Sequence, residues 1–212
     1  MAGDEYALIR RYFQDLTGAR GDGVHGIGDD AAVLTVPAGH ELVVSTDTLV
    51  REVHFPAATP PADIGFKSLA VNLSDLAAMG AEPRWATLAL TSPDDDSAFL
   101  ESFCQGFALA ARPHEVTLVG GDLTRGPLSI TVQIMGTLPC GSALLRSGAR
   151  SGDQIWVTGE LGSAALGLAV IQGRHTGLEP GLEACVQRLH RPEPRVGAGL
   201  LLRGVASAAI DI

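Results

Sequence analysis

The apolar run Leu42-Val43-Val44 ends in Ser45, Thr46 and Asp47, three oxygen-bearing side chains in succession. Hydroxyls and a carboxylate where a strand stops are hard oxygen donors, the type a magnesium ion takes. Three other acidic points are arranged to meet them: Asp29–Asp30 in GIGDDAA, Asp75 in NLSDLAAMGA and Asp122 in GGDLTRG. Each has a plainer reading. Asp29–Asp30 is also a turn with two solvated carboxylates, and Ser45-Thr46-Asp47 is also an edge-strand terminator. Asp75 shares a helix face with Asn72. It either marks the solvent face or, beside Leu73, Leu76 and Ala77, is a buried acid that needs a partner or a metal. Gly120-Gly121-Asp122 is either a hairpin turn or, with Thr124-Arg125-Gly126, a loop facing phosphate. Arg146 reads as a solvated arginine between two domains. His54 reads as an exposed imidazole or, seven residues after Asp47, as a substrate contact. Asp94-Asp95-Asp96 follows Ser92-Pro93 at the start of a helix, where carboxylates favour the positive end of the dipole, and receives no catalytic role.

The elements that must carry these residues follow from periodicity and punctuation. Asp4 is expected to cap a helix with the apolar stripe Leu8, Ile9, Tyr12, Phe13 and Leu16. Strands are expected at Ala31–Val36 and Leu42–Thr46, separated by the turn Pro37-Ala38-Gly39-His40. A helix over about Ala62–Met79 closes on Gly80, and Arg84–Thr91 reads as a strand. Pro93 opens a helix to about Ala111. Val116–Val119 reads as a strand ending in Gly120-Gly121-Asp122, and Leu128–Leu138 is a long β run. The order β-β-α-β-α-β-β predicts an α+β fold, a sheet layered with helices whose other face needs cover, which self-association would provide. Composition changes after residue 138. We expect a domain over 1–138, a polar linker over 139–152, and the first part of a second, α/β domain over 153–212. That second part has a strand at Gln154–Thr158 and helices near Ser163–Gln172, Leu182–Leu189 and from Arg195. The tail Val205–Ile212 reads as the middle of a strand, so the chain reads as a fragment.

Composition narrows the function classes. The 212 residues are 46% hydrophobic but only 5% aromatic, so packing is mostly aliphatic, and the formal charge of −9 argues against a sequence-independent nucleic-acid surface. Cys104, Cys140 and Cys185 lack metal-ligand spacing and read as reduced thiols of a cytoplasmic protein. No apolar run approaches the roughly 20 residues of a membrane span. GxxxxGK[ST], HExxH, GxSxG and the protein-kinase motifs are all absent. A phosphoryl transfer here would have to rest on carboxylate-bound metal, which suffices because that chemistry needs positioning and charge neutralisation.

GIGDDAA, STDTLVREVHF, KSLAVNLSDLAAMGA, GGDLTRG, RSGARSGD and VTGELG, in this order and spacing, resemble the thiamine-monophosphate kinase family. That family belongs to the aminoimidazole ribonucleotide synthetase-like ATP-binding superfamily, and the resemblance spans nearly the whole chain. It implies ATP-dependent, Mg²⁺-assisted, in-line phosphorylation of thiamine monophosphate to thiamine diphosphate without a phosphoenzyme. It also implies a homodimer whose N-terminal domains close a β-barrel at the dimer centre. By the same resemblance, Asp30, Ser45, Thr46, Asp47, Asp75, Asp122 and Asp211 correspond to metal ligands. Gly121, Asp122 and Arg146 correspond to ATP contacts, and His54 to a substrate contact. Two departures stand out: the chain stops at Asp211-Ile212, where the family continues into Ser-Asp-Gly, and Ser163-Ala164 follows TGxxG where the family has a polar or acidic residue and then serine.

Two other readings stay in view. A related synthetase, a selenophosphate synthetase or a hydrogenase-maturation protein would use the same ATP chemistry on another acceptor. The selenium enzyme would show a reactive cysteine near its N-terminus, whereas the first cysteine here is Cys104. A dimeric metal- or nucleotide-binding module without turnover is the reading from a different class, and intact mass discriminates it.

Overall fold

The computed structural model describes residues 2–14, 16, 25–93, 96–175, 177 and 180–212, with the side chains of residues 2–6 excepted. Four strands form one open sheet in the order β1-β4-β2-β3: β1 (His40–Val50), β2 (Glu82–Ser92), β3 (Thr117–Arg125) and β4 (Ser129–Pro139). β4 runs antiparallel to both β1 and β2, and β2 and β3 are parallel. With helices α1 (Ala2–Tyr12), α2 (Pro61–Met79) and α3 (Ser97–Ala111), this makes the mixed α+β architecture that the sequence predicts.

The period-2 alternation of β1 assigns its side chains to two faces. Val43, Ser45, Asp47 and Leu49 turn toward the helices, while Leu42, Val44, Thr46 and Thr48 are exposed on the other face. On the helix side the aliphatic core joins Leu69, Leu73 and Leu76 of α2, Phe103 and Phe107 of α3, and Leu90, Ile130 and Ile134 of the sheet, none more than 1% exposed. α2 starts at Pro61, whose missing N–H costs nothing in the first turn, and ends on Gly80 in the left-handed conformation. α3 is capped by Asp96, whose carboxylate accepts a 2.9 Å hydrogen bond from the Ala98 N–H. Asp94 and Asp95 lie outside the described residues.

Several expected boundaries differ. β1 does not stop at Thr46; it runs to Val50, pairing Asp47 with Val132 and Thr48 with Thr131. The hydroxyls and carboxylate therefore sit within an edge strand instead of beyond its end. Gly120-Gly121 is not a hairpin turn but lies inside β3, where Gly121 pairs with Leu88. A Cβ at Gly121 would stand 1.8 Å from the Leu88 carbonyl oxygen, at φ +153, so only glycine lets the strands close there. Asp4 lies within α1 instead of capping it.

Ala31–Val36 is not a strand. It crosses the second sheet face, where Ala32 and Leu34 pack on Trp85, Val119 and Met135. Gln154–Thr158 and Val205–Ile212 also form no strand, because neither pairs with another strand among the described residues. Ile155 and Trp156 are 93% and 84% exposed.

Beyond β4, helices α4 (Ser163–Ile171) and α5 (Leu182–His190) pack on each other, and α6 (Val196–Leu202) packs on α2. Arg191 anchors this second part. Its Nε donates to Asp63 Oδ1 at 2.5 Å and its guanidinium lies 5.8 Å from the centre of the Phe66 ring. Asp63 is 7% exposed, so its charge needs that partner.

The three cysteines are free thiols, as expected. Burial pushes the Cys104 thiol up to about 12, which leaves it protonated and inert. At pH 8, iodoacetamide should modify exposed Cys140 within minutes and leave Cys104 untouched until the protein unfolds. Equal labelling rates in the native protein would contradict that burial.

Candidate functional site

The helix-facing side of β1 meets the C-terminal half of α2 and the end of the chain. Ser45 sits on the row that faces α2, and its hydroxyl donates to Asp75 Oδ2 at 2.6 Å. Asp75 is thus not a solvated face residue; it turns to the edge strand and is half-buried. Asp47 lies two residues further along the same face of β1. Its carboxyl is pushed above the usual carboxylate range, first by burial and then by the charges of Asp75 and Asp211, with His54 acting in the opposite direction. Asp211 is pushed up likewise by burial and by the Asp75 charge, while its own backbone and Arg146 act against the shift. Arg146 Nη2 stands 3.5 Å from Asp211 Oδ1, with the arginine 70% exposed. Ser45, Asp47, Asp75, Asp211, Arg146 and His54 therefore converge at one place. The Asp75 charge raises the cost of ionising both Asp47 and Asp211, a repulsion that a bound cation relieves.

His54 closes this cluster at the end of β1. The Val50 N–H donates to His54 Nδ1 at 3.0 Å. Nδ1 must then be an acceptor, so the neutral ring carries its proton on Nε2. Glu52, at φ 65, turns the chain here, and the Glu52 N–H donates to the Phe55 carbonyl at 2.8 Å. Phe55 is buried in the core and anchors the loop.

Thr46, Asp122 and Asp30 are not part of this convergence. In-register neighbours share a sheet face, and Asp122 aligns through Ala89 and Thr131 with Thr48, whereas Asp47 aligns through Val132 and Leu88 with Gly121. Asp122 thus projects from the face opposite Asp47. With strands about 4.8 Å apart, the two lie roughly 14 Å apart across the sheet. Asp122 accepts a 2.5 Å hydrogen bond from the Thr124 hydroxyl, and Thr46 accepts from the Gln133 amide at 3.3 Å on the same face. Asp29 and Asp30 are exposed, at the start of the segment that crosses this second face. Among the described residues, no three His, Cys, Asp or Glu side chains close into a ready-made metal cage.

Residues 28–138 match the family of AIR synthase related proteins, N-terminal domain. The chain belongs to this family. It is 50% identical over 213 aligned residues to the thiamine-monophosphate kinase of Salmonella typhimurium, covering 100% of this chain and 66% of that protein. The chain thus spans just under two thirds of the length of this relative. Among solved structures, the thiamine-monophosphate kinase from Stenotrophomonas maltophilia K279a superposes with a TM-score of 0.88 at 49% identity, over 97% of this chain and 66% of that one. AaThiL complexed with AMPPCP and TMP superposes with a TM-score of 0.75 at 28% identity, over 98% of this chain and 65% of that one. The open four-stranded sheet with its covering helices is therefore the fold of these AIR synthase related relatives.

Sequence reasoning passed over one residue that touches the site. Lys67, in α2, donates from Nζ to the His54 carbonyl at 3.2 Å. Its signal was a lone cation inside the apolar run Ile64–Val71.

Proposed function

We propose that this chain is part of an enzyme that transfers the γ-phosphoryl group of ATP to the phosphate of thiamine monophosphate, yielding thiamine diphosphate and ADP. A phosphate oxygen of the acceptor attacks the γ-phosphorus in line, and the bond to the β–γ bridging oxygen breaks. The observation that carries this reading is the convergence of Ser45, Asp47, Asp75, Asp211 and Arg146 on one edge of the sheet. The names of the relatives and the complex of AaThiL with AMPPCP and TMP support it.

The donor set fits Mg²⁺. Ser45, Asp47, Asp75 and Asp211 offer only oxygen donors, the Asp75 charge bears on Asp47 and Asp211, and Mg²⁺ commonly takes only one or two protein carboxylates beside phosphate and water. When bound, Mg²⁺ neutralises the charge developing on the transferred group. Ser45, Asp47, Asp75 and Asp211 would hold it on the helix side, and Asp30, Thr46 and Asp122 would add ligands from the second face. Ser45 orients Asp75 through its hydroxyl. Arg146 binds a nucleotide phosphate, and Gly121 lets the phosphate chain approach the backbone beside Asp122. His54 offers Nε2–H to the thiamine monophosphate.

The two ligand sets lie on opposite faces of the sheet, and the second face also offers a surface for a second copy of the chain. Leu42 and Val44 are 46% and 49% exposed on the second face of the edge strand β1. Two such faces packed together would bury these residues and close the sheets into a barrel at a homodimer centre. We place the N-terminal domain at 1–138, the linker at 139–152 and a second α/β domain from 153 onward. With ATP as co-substrate, the enzyme acts in the cytoplasm. No described helix is long and apolar enough to cross a membrane.

The test is thiamine diphosphate formation by the full-length protein from ATP, Mg²⁺ and thiamine monophosphate, followed by ³¹P NMR. Product that requires all three is the expected result. ADP release with some other acceptor would reject the thiamine assignment, and neither product nor ADP would reject phosphoryl transfer.

A further inference from the structure

We infer that Lys67 is a positioning residue for the acceptor side of the site: its ammonium pins the His54 carbonyl and so fixes where the His54 imidazole presents its Nε2–H. This rests on the reading of His54 as the acceptor contact.

The loop after β1 is held by several hydrogen bonds. The His54 N–H donates to the Val50 carbonyl at 2.9 Å and the Val50 N–H returns a hydrogen bond to His54 Nδ1, so the ring is locked to the strand that carries Asp47. The Arg51 N–H donates to the Leu128 carbonyl at 3.3 Å, and the Arg51 guanidinium reaches the Ala57 carbonyl at 3.3 Å. Glu52 sits at φ 65, a conformation that a residue with a side chain keeps only when its surroundings impose it. The His54 carbonyl is met from outside the loop, from α2, by Lys67 Nζ at 3.2 Å.

α2 is the same helix that carries Asp75. One rigid element thus sets both the carboxylate under Ser45 and the imidazole at the end of the same strand, which ties the acceptor contact to the cation ligands. Burial pushes the Lys67 amine down from its ordinary range.

Lys67→Met should leave ATP binding in place and move the acceptor. In the full-length enzyme we expect the KM for thiamine monophosphate to rise about tenfold, with kcat and the KM for ATP within about twofold, the signature of lost acceptor binding. Lys67→Arg, which still reaches a single carbonyl, should stay close to wild type. In a His54→Ala background, Lys67→Met should add nothing, because the two residues act as one unit. Equal rises in both KM values, or a full additional loss in the His54→Ala background, would overturn the role.

A separate readout keeps the test independent of the acceptor. The ¹⁵N shifts of the His54 imidazole, measured without substrate, should move in Lys67→Met and return in Lys67→Arg. Unmoved shifts would overturn the positioning role even in an enzyme with a different acceptor. A wild-type enzyme that makes no thiamine diphosphate would overturn the acceptor assignment alone. If Lys67→Met does not fold, Lys67→Gln, uncharged and shorter, carries the same comparison.

Discussion

Asp47→Asn should lose phosphoryl transfer by about a thousandfold or more, the scale on which a charge-stabilising group at the reacting centre acts, while the protein folds as well as before. Asp47 is pushed above the usual carboxylate range by burial and by Asp75 and Asp211. A carboxyl raised in this way favours the fold when protonated, and that contribution is lost as pH rises through its folded-state value. At neutral pH the ionised Asp47 therefore works against the fold, and the neutral amide removes that repulsion. Without metal, the melting temperature of Asp47→Asn should equal or exceed that of wild type. With Mg²⁺, wild type should gain stability by mass action and the variant should gain less. A variant with wild-type turnover, or one that melts well below wild type without metal, would contradict this role.

Gly106→Ala should be the most damaging small substitution in the core. α2 and α3 cross so closely that a Cβ at Gly106 would stand 1.7 Å from the Ala62 carbonyl oxygen, and one at Gly65 would stand 2.0 Å from that of Phe103. Both obstacles are backbone, so no rotamer change relieves them and the helices must move apart. Overpacking of this kind costs about 3 kcal/mol. For a domain of this size that lowers the melting temperature by about 6–12 °C. Because α2 carries Asp75 and Lys67, the variant should also lose activity before it loses its fold. An unchanged melting temperature would show that the helices have room to separate.

The sequence made the local chemistry legible where residue type alone decides it. The apolar runs of α2 and β4, the glycine stop at Gly80 and the acidic start of α3 are all read from side-chain pattern. Ser45, Asp47 and Asp75 could be singled out because polar groups flanked by aliphatic residues need partners. What the pattern could not reveal was which face each carboxylate takes. β1 was expected to end at Thr46, and only its continuation through Asp47 to Val50 places Thr46 and Asp47 on opposite sides of the sheet. Asp122 separated from Asp47 for a similar reason: Gly120-Gly121 has the composition of a turn, yet pairing with β2 draws it into a strand. Gln154–Thr158 has the composition of a strand but no described strand beside it, and backbone pairing, not propensity, decides that state. Lys67 and the Asp63–Arg191 pair were passed over because a lone charge in a helix carries no periodic signal. Their partners, at residues 54 and 191, are set by tertiary packing.

The most direct test of cation binding between β1 and α2 is anomalous diffraction from crystals of the full-length protein soaked with Mn²⁺ and a non-hydrolysable ATP analogue. The expected result is a manganese peak at about 2.1 Å from carboxylate oxygens, with Asp47 and at least one of Asp75 and Asp211 as ligands. Bound nucleotide with manganese elsewhere, and Asp47 without a metal neighbour, would contradict the cation site on which the proposed phosphoryl transfer rests.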